Sequence, residues 1–436
     1  MDYVVSDRDD AFRGISLLDT GITGEIPREA NVLRTHQNTF AAFAGPLGGG
    51  HAVVLPFDCE RLLADDRVAG KNFYASPDRL PSEHVSLVAK GELRQLLHRS
   101  FEYLHHVRGI PYAHLWWFPE GKRNVFAFRI DSDGAPRGEV DELYAIARRH
   151  GIRMSWFLDV KSHEAWLGHF GSMVDQEMGV HCYEHVVYPS YGENLRNVMK
   201  AKHLMEAAGL QASGFAAPLG AWNPPLAKAL EELEFSYSSE FSYAYDTLPL
   251  HPWRGTAGYA TLQVPVHPIC IGSMRKVGYS EQQMTHYFRM VVEQKLIRNE
   301  PLFFYHHPTH RHGNVVGNLF AWMEEMNIDS MTLGEYAAWW KERSKVKPCI
   351  EIREGRFSFS DDGAMQTASR GGICFHVTND HGEEAFLPLS EGVDPAGVKW
   401  STCPTYAPPA DIRRVRDFDP RGLLAEVYEV MIRKLR

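Results

Sequence analysis

Apolar and polar positions follow two alternating periods from about residue 124 to residue 340. Short apolar runs typical of buried strands are followed by stretches with helical spacing, and this pattern predicts repeated β/α units. Between the first two runs, Pro136 opens a helix with one apolar face and Gly151 ends it. Seven such units predict an α/β barrel with its active site at the carboxyl ends of the strands. The predicted strands are residues 125–130, 152–158, 178–181, 214–217, 235–239, 261–266 and 302–305.

The two flanking segments have different patterns and predict two smaller domains. The N-terminal segment contains a clear strand at residues 51–56 and a helix at residues 90–107, which indicates a small α/β domain of unknown role. Towards the C-terminus, short alternating runs such as residues 372–377 are separated by turn sequences, and residues 419–436 have one apolar side. The predicted domains are 1–118, the barrel at 119–346, and a β-rich domain with a C-terminal helix at 347–436.

Composition narrows the class of protein. The chain has 436 residues, 44% of them hydrophobic and 23% charged, with no apolar run long enough to span a membrane and no secretory leader, so we expect a cytoplasmic protein. The net charge of −9 and the lack of a long basic run disfavour a nucleic-acid partner. The six cysteines contain no C-x-x-C pair and are interpreted as reduced, mostly buried thiols. The sequence leaves the oligomeric state open.

Two motifs at predicted strand ends carry the chemistry. The first strand runs into Asp131 and Asp133, and two close carboxylates are stabilised by a cation beside them. The third ends in an H-x-x-x-H pair, His181 and His185, whose spacing lets two imidazoles reach one ion. Taken singly, an Asp-Ser-Asp-Gly turn also caps helices, and such histidine pairs also occur in packing or on surfaces. Together they predict a catalytic metal site, since one carboxylate and two imidazoles leave positions open for water and substrate.

A histidine at the end of the last predicted strand could protonate a leaving group. His307 is the preferred acid, because it shares a strand face with Tyr305 and because Pro308 ends the strand. The alternative is His306 as the acid, with His307 structural.

The ordered set of Asp-x-Asp-Gly, H-x-x-x-H, a Pro-Leu-Gly loop at residues 218–220 and a strand-terminal His307 resembles the polysaccharide deacetylase family, carbohydrate esterase family four, over about residues 122–343. The resemblance implies a distorted (β/α)7-type barrel that removes N- or O-acetyl groups from sugars with a divalent metal, commonly zinc. It implies that Asp131 is the general base, His307 the general acid, and the backbone N–H of Leu219 an oxyanion donor. The metal ligands that it implies are Asp133, His181 and His185.

Three positions depart from the family pattern. Ser132 separates two aspartates that are usually adjacent, so the base and ligand roles of Asp131 and Asp133 can be exchanged. Ala216 stands where the family has an arginine that braces the base; Arg129 can replace that arginine from the strand, or lie on the surface. The acidic residue that orients the catalytic histidine has no clear match, and the candidates are Glu240 and Asp246.

The predicted function is a metal-dependent hydrolase of amide bonds that deacetylates a glycan or amino sugar. Zinc is the expected metal, and iron, cobalt and nickel also suit this ligand set. Aromatic side chains near the predicted mouth can stack on sugar rings. The rival functions are a deacylase of a small non-sugar amide and a catalytically silent carbohydrate-binding protein. The candidate substrate-binding residues are Tyr183, Trp222 and Arg129.

Overall fold

The N-terminal part of the computed structural model forms antiparallel sheets. The structure describes residues 40–404 except 56, 74–80, 255–256, 354–355, 361–371 and 390–397, together with residues 3–6, 18–19 and 32–35. The strands of this part are β1 (Tyr3–Ser6), β2 (Leu18–Asp19), β3 (Val32–Thr35), β4 (Phe40–Leu47), β5 (Gly50–Val54), β6 (Val68–Asn72) and β7 (Ser82–Ser86). One sheet has the order β2-β1-β3-β4-β5, and a second pairs β6 with β7.

Two helices accompany these sheets, α1 (Cys59–Leu63) and α2 (Lys90–His106), and β8 (Tyr112–Leu115) follows α2. Lys90 at the start of α2 joins the N-terminal part to a loop of the barrel, because its Nζ donates to the carbonyl oxygens of Asp65 and Tyr243, each at 2.6 Å. Burial lowers the pKa of Lys90 to about 7.

Seven parallel strands form the central sheet, and each overlaps one of the predicted strands. Within the sheet they have the order β16-β13-β12-β11-β10-β9-β17, so the predicted distorted (β/α)7-type barrel is confirmed. The strands are β9 (Phe126–Asp131), β10 (Met154–Leu158), β11 (Glu177–Val180), β12 (Gly214–Phe215), β13 (Tyr237–Ser238), β16 (Leu262–Gln263) and β17 (Leu302–His306). A short hairpin of β14 (Trp253–Arg254) and β15 (Ala257–Gly258) lies between β13 and β16.

The longest barrel strands, β9, β10 and β17, are buried along their whole length, as expected of parallel strands covered on both faces. The outermost strands β16 and β17 are not paired with each other as a ladder. The chain after β16 nevertheless reaches β17, because the backbone N–H of His267 donates to the carbonyl of Phe303 at 2.8 Å. All seven strands are parallel, so their carboxyl ends meet at one rim.

Helices cover the outside of the sheet. Pro136 immediately precedes the first of them and Gly151, in the left-handed region at φ 62°, follows it, as predicted. Its apolar face is buried at Val140, Leu143 and Ala147. No helix within the described ranges is both long and apolar enough to cross a membrane. The helices are α3 (Arg137–Arg149), α4 (Val160–His163), α5 (Tyr191–Ala207), α6 (Pro224–Glu232), α7 (Ile271–Lys276), α8 (Glu281–Ile297), α9 (Gly313–Glu325) and α10 (Leu333–Lys345).

The C-terminal part contains β18 (Cys349–Arg353), β19 (Arg356–Ser360), β20 (Cys374–Thr378), β21 (Glu383–Pro388) and β22 (Ser401–Thr402). β18 pairs with β19, and the other three join β8 in the order β22-β21-β20-β8. The predicted domain boundaries stay a prediction, and β8, on the N-terminal side of the first boundary, contributes to a sheet whose other strands follow the second. The predicted helix at residues 419–436 lies outside the described residues.

Candidate metal centre and active site

Asp133, His181 and His185, here called the Asp-His-His triad, meet at the carboxyl rim of the barrel. Asp133 lies in the turn after β9 with φ 37°, and His181 directly follows β11. Oδ1 of Asp133 is 3.0 Å from Nε2 of His185 and 3.2 Å from Nε2 of His181, and the two Nε2 atoms are 3.2 Å apart. The structure thus brings together the three residues for which the resemblance implies metal ligation.

The spacing of the triad fits a divalent metal. Two ligands about 2.0–2.1 Å from one ion in tetrahedral geometry are separated by about 3.3–3.4 Å, close to the separations of the triad. The second ring nitrogen of His181 is hydrogen-bonded to the carbonyl oxygen of Ala216 at 2.7 Å, which directs Nε2 towards the other two residues. Burial favours the neutral form of Asp133, but the charge of His307 and hydrogen bonds from the two imidazoles hold its pKa well below the ordinary value.

Asp131 lies next to the triad but has a different partner. Arg129 donates to both of its carboxylate oxygens, from Nε at 2.7 Å and from Nη2 at 2.5 Å. Both side chains are buried, and the guanidinium also donates to the carbonyl of Ser239. Burial raises the pKa of Asp131, but the charge and hydrogen bonds of Arg129, together with the charges of His181 and His307, outweigh burial and lower it. Asp131 is therefore a braced carboxylate, and Asp133 is the one that faces the two imidazoles.

Arg129 was also a candidate substrate contact, and the structure gives it another place. It is 0% exposed, and its guanidinium carbon lies 5.1 Å from the ring centroid of Tyr305 and 5.9 Å from that of Phe157. A fully buried Arg129 is neither a surface residue nor in a position to contact a substrate, so both of these predictions are inconsistent with the structure. The bracing position is consistent with it, because Arg129 supplies to Asp131 the ion pair that Ala216 cannot.

Ser132, which separates the two aspartates, is buried and directed towards the next strand unit. Its Oγ accepts from the backbone N–H of Asp159 at 2.8 Å and is hydrogen-bonded to Nε2 of His163 at 2.8 Å. Burial lowers the pKa of His163 to about 4, so this imidazole is neutral at pH 7. Ser132 therefore anchors the loop after β9 and lets Asp131 and Asp133 diverge. His163 was not predicted, because nothing in its local sequence marks it.

The two adjacent histidines at the end of β17 differ in position. Nε2 of His307 is 3.4 Å from Oδ2 of Asp133 and 3.9 Å from Oδ2 of Asp131. His306 is 2% exposed and packs near Phe128, and burial lowers its pKa well below the ordinary value. His307, the preferred acid, is thus the one beside the triad, because consecutive strand residues point to opposite faces.

The loop after β12 carries Leu219, which lies in the left-handed region at φ 58° and is 71% exposed. A tight Pro218–Gly220 turn holds it there. Gly220 is required in this turn, since a Cβ at its position would lie 2.3 Å from the ring of Phe241. Leu219 is thus held in a fixed turn. Ala216, three residues earlier in the same loop, is hydrogen-bonded to His181 through its carbonyl oxygen.

The two candidate aromatic contacts are less open than predicted. Trp222 is 8% exposed and packs against Tyr243, with ring centroids 4.6 Å apart. Tyr183 is half-buried, and Nζ of Lys200 lies 3.5 Å from its ring centroid. Trp222 therefore belongs to the packing of a loop cluster, and one face of Tyr183 is covered by a cation.

Neither candidate acid contacts His307 through a hydrogen bond or ion pair within the described part of the chain; both have other partners. Asp246 binds His267, whose Nδ1 is 3.0 Å away, and Nζ of Lys295 at 2.6 Å. Glu240 accepts from Gln263 at 3.0 Å, and burial raises its pKa to about 7. Cys270 and His310 are the close neighbours of His307 instead.

Cys270, His307 and His310, here called the Cys-His-His cluster, form a second group of metal-binding side chains. Their ligand atoms all lie within 4.8 Å of one another. Burial raises the pKa of Cys270, but its interactions with His307 and its hydrogen bonds with Ser273 together outweigh burial and lower it to about 7. Cys270 was predicted as a buried thiol and is buried; its two histidine neighbours were not predicted.

The chain is similar to solved structures, but not to any known sequence family. No protein-family model and no curated protein matches the chain. A Mycobacterium smegmatis protein named as a polysaccharide deacetylase is 15% identical over 52% of this chain and 93% of its own, with a TM-score of 0.46. An allantoinase is 15% identical over 51% of this chain and 92% of its own, with a TM-score of 0.44. A family-four pseudoenzyme from Bacillus anthracis is 13% identical over 62% of this chain and 90% of its own, with a TM-score of 0.36.

Proposed function

We propose that this chain is a metal-dependent hydrolase that removes acetyl groups from the nitrogen or oxygen of a carbohydrate. The observation that carries the proposal is the convergence of the Asp-His-His triad with Asp131 and His307 at one rim of the barrel. Ligand atoms 3.0–3.2 Å apart, next to a braced carboxylate and an imidazole, suit hydrolysis better than a structural metal site with four protein ligands.

Asp133, His181 and His185 would hold the metal, with zinc as the expected ion and iron, cobalt or nickel as alternatives. A bound divalent metal supplies Lewis-acid activation of the acyl carbonyl and of water. The protein itself orients one of these ligands, because the carbonyl oxygen of Ala216 is hydrogen-bonded to Nδ1 of His181 and fixes the direction of its ring.

Asp131 would act as the general base. Its bidentate ion pair with Arg129 favours the ionised form and fixes the plane of the carboxylate, so that it can accept a proton from the attacking water. His307 would act as the general acid, donating a proton from Nε2 to the departing amine or alkoxide, since this nitrogen faces the two carboxylates. The backbone N–H of Leu219 would stabilise the oxyanion.

The carbohydrate part of the proposal rests on the ordered motifs, because Trp222 and Tyr183 present less open ring surface than a sugar platform needs. A deacylase of a small non-sugar amide and a silent carbohydrate-binding protein are the competing functions. The names of the similar structures include a deacetylase, an allantoinase and a pseudoenzyme, so these names favour none of the three functions over the others.

Acetate release from N-acetylated chito-oligosaccharides tests the proposal. The zinc-loaded full-length protein is expected to release acetate, to lose this activity on chelation, and to regain it with added zinc. Activity on a small N-acyl amide with none on any glycan would contradict the carbohydrate substrate. A protein that binds glycan without hydrolysing either substrate would contradict the enzymatic function.

A further inference from the structure

The Cys-His-His cluster combines residues from two separate elements near the carboxyl rim. Cys270 directly precedes α7, His307 directly precedes the short turn after β17, and His310 is the last residue of that turn. Sγ of Cys270 lies 3.9 Å from Nδ1 of His310, and the rings of the two histidines have centroids 4.4 Å apart. Cys270 is 2% exposed, and both histidines are half-buried.

The backbone makes room for one of these ligands. A Cβ at Gly272 in α7 would lie 2.2 Å from Cε1 of His310 and 2.5 Å from its Nδ1. Real Cβ atoms do not approach other atoms so closely, so any larger residue would displace the imidazole. Gly272 therefore allows His310 to lie against α7 and next to Cys270.

The two ring nitrogens of His307 have different surroundings. Nε2 faces the carboxylates of Asp133 and Asp131. Nδ1 is buried and makes no hydrogen bond within the part of the chain that the structure describes. A buried imidazole nitrogen without a partner is unfavourable, and a cation or a hydrogen bond would satisfy it. The candidate carboxylates for this position, Asp246 and Glu240, have other partners.

The geometry points to a second divalent metal site in the Cys-His-His cluster, formed by Sγ of Cys270, Nδ1 of His307 and one ring nitrogen of His310. The chemistry is that of a borderline-soft ion such as zinc, which takes thiolate sulfur and imidazole nitrogen together. A sulfur at about 2.3 Å and a nitrogen at about 2.0–2.1 Å from one ion are about 3.6 Å apart in tetrahedral geometry. The 3.9 Å between Cys270 and His310 is a few tenths of an ångström from that value.

The second site would also determine the tautomer of His307. A metal on Nδ1 leaves the remaining ring proton on Nε2, which is the nitrogen that faces the Asp-His-His triad. This consequence rests on the proposed function, in which Nε2 of His307 would give its proton to the leaving group and would then regain one from Asp131, which has taken a proton from the attacking water. The metal would then hold the imidazole in place where no described carboxylate does so.

Titration of the metal-free full-length protein with Co²⁺ tests the site. We expect two equivalents to bind, one of which gives the near-ultraviolet charge-transfer absorption of a thiolate bound to Co²⁺. Cys270→Ser is expected to lose that absorption and to bind one equivalent of Co²⁺ instead of two. His310→Ala is expected to lose the same equivalent. Cys374→Ser, which replaces another buried thiol, is the matched control and should keep both.

A single equivalent without thiolate absorption in the wild-type protein would overturn the second site, as would absorption that survives in Cys270→Ser. Near-ultraviolet circular dichroism verifies that each variant is folded. His181→Ala separates this inference from the proposed function, because it should lose the triad equivalent and retain the thiolate absorption. If the wild-type protein bound both metals but released no acetate, the proposed function would be contradicted and the second metal site would still be supported.

Discussion

The Asp-His-His triad and the Cys-His-His cluster lie at the same rim of the barrel but are built differently. The triad takes its residues from the ends of β9 and β11, which are separated in the sheet by β10 alone, and its ligand atoms are already 3.0–3.2 Å apart. The cluster joins the segment after β16 to the turn after β17, the two outermost strands of the sheet, and its sulfur and nitrogen are 3.9 Å apart.

The place of a strand within a parallel sheet affects how firmly the residues at its carboxyl end are held. Strands inside the sheet fix their carboxyl ends through ladder hydrogen bonds on both sides, whereas the open edge depends on loop packing, here at Gly272. We therefore expect the triad to bind metal more tightly than the cluster. His307 belongs to the cluster and faces the triad, so the two regions are coupled through one imidazole.

The largest effect is expected from His181→Ala. Loss of one of three protein ligands should remove the triad metal and lower kcat by about 10³-fold or more, because Lewis-acid stabilisation is worth several kcal/mol. Metal analysis and acetate release measure the two effects. His381→Ala, an exposed histidine in the turn between β20 and β21, is the control. Full metal content and full activity in His181→Ala would refute the triad.

Asp131→Asn is expected to lower kcat by about 10²–10⁴-fold with the triad metal retained, because a neutral amide cannot accept the proton from water. The isosteric change retains one of the two acceptors for Arg129, which limits structural damage. Inductively coupled plasma mass spectrometry of the purified variant gives the metal content. If Asp131→Asn lost the metal while Asp133→Asn kept it, the base and ligand roles would be exchanged.

Arg129→Lys is expected to lower kcat by about 10–100-fold with unchanged metal content. Lysine retains the charge but not the two parallel N–H bonds that hold Asp131, so the effect reports orientation of the base. The exposed Arg137→Lys serves as the control. Equal kcat values for Arg129→Lys and the wild-type protein would show that Asp131 does not need this brace.

Gly272→Ala should weaken binding of the second Co²⁺ equivalent by about tenfold or more, because the added Cβ displaces His310. The first equivalent, in the triad, should be unchanged. Gly138→Ala in α3, where a Cβ would have nothing within 4 Å, is the matched control. Equal weakening of both equivalents would contradict the assignment of His310 to the second site alone.

The smallest effect is expected at Glu240, which lies outside both groups. Burial raises its folded-state pKa to about 7, above an unfolded value of about 4.3, so the native state binds the extra proton between these pH values. Its contribution to the free energy of unfolding therefore decreases as pH rises through 7. Glu240→Gln should remove this decrease, on the order of 1–3 kcal/mol, in urea unfolding at pH 5 and pH 8. The exposed Glu206→Gln should not.

The barrel and the triad could be predicted because their signals are local. Each β/α unit has its own apolar period, and Asp133, His181 and His185 lie just beyond predicted strands. Cys270 could not be connected to His310, because the two meet only when α7 packs against the turn after β17. Arg129 lies in an apolar run, and its burial depends on Asp131 and Ser239, whose proximity the sequence does not reveal. Trp222 was misplaced because Tyr243, which covers it, comes from a different loop.

Anomalous diffraction at the zinc absorption edge, from crystals of the zinc-loaded protein, tests whether the Asp-His-His triad holds the metal. We predict a peak about 2.0–2.2 Å from Oδ1 of Asp133, Nε2 of His181 and Nε2 of His185. An active, zinc-containing protein with no peak at these three atoms would contradict this prediction.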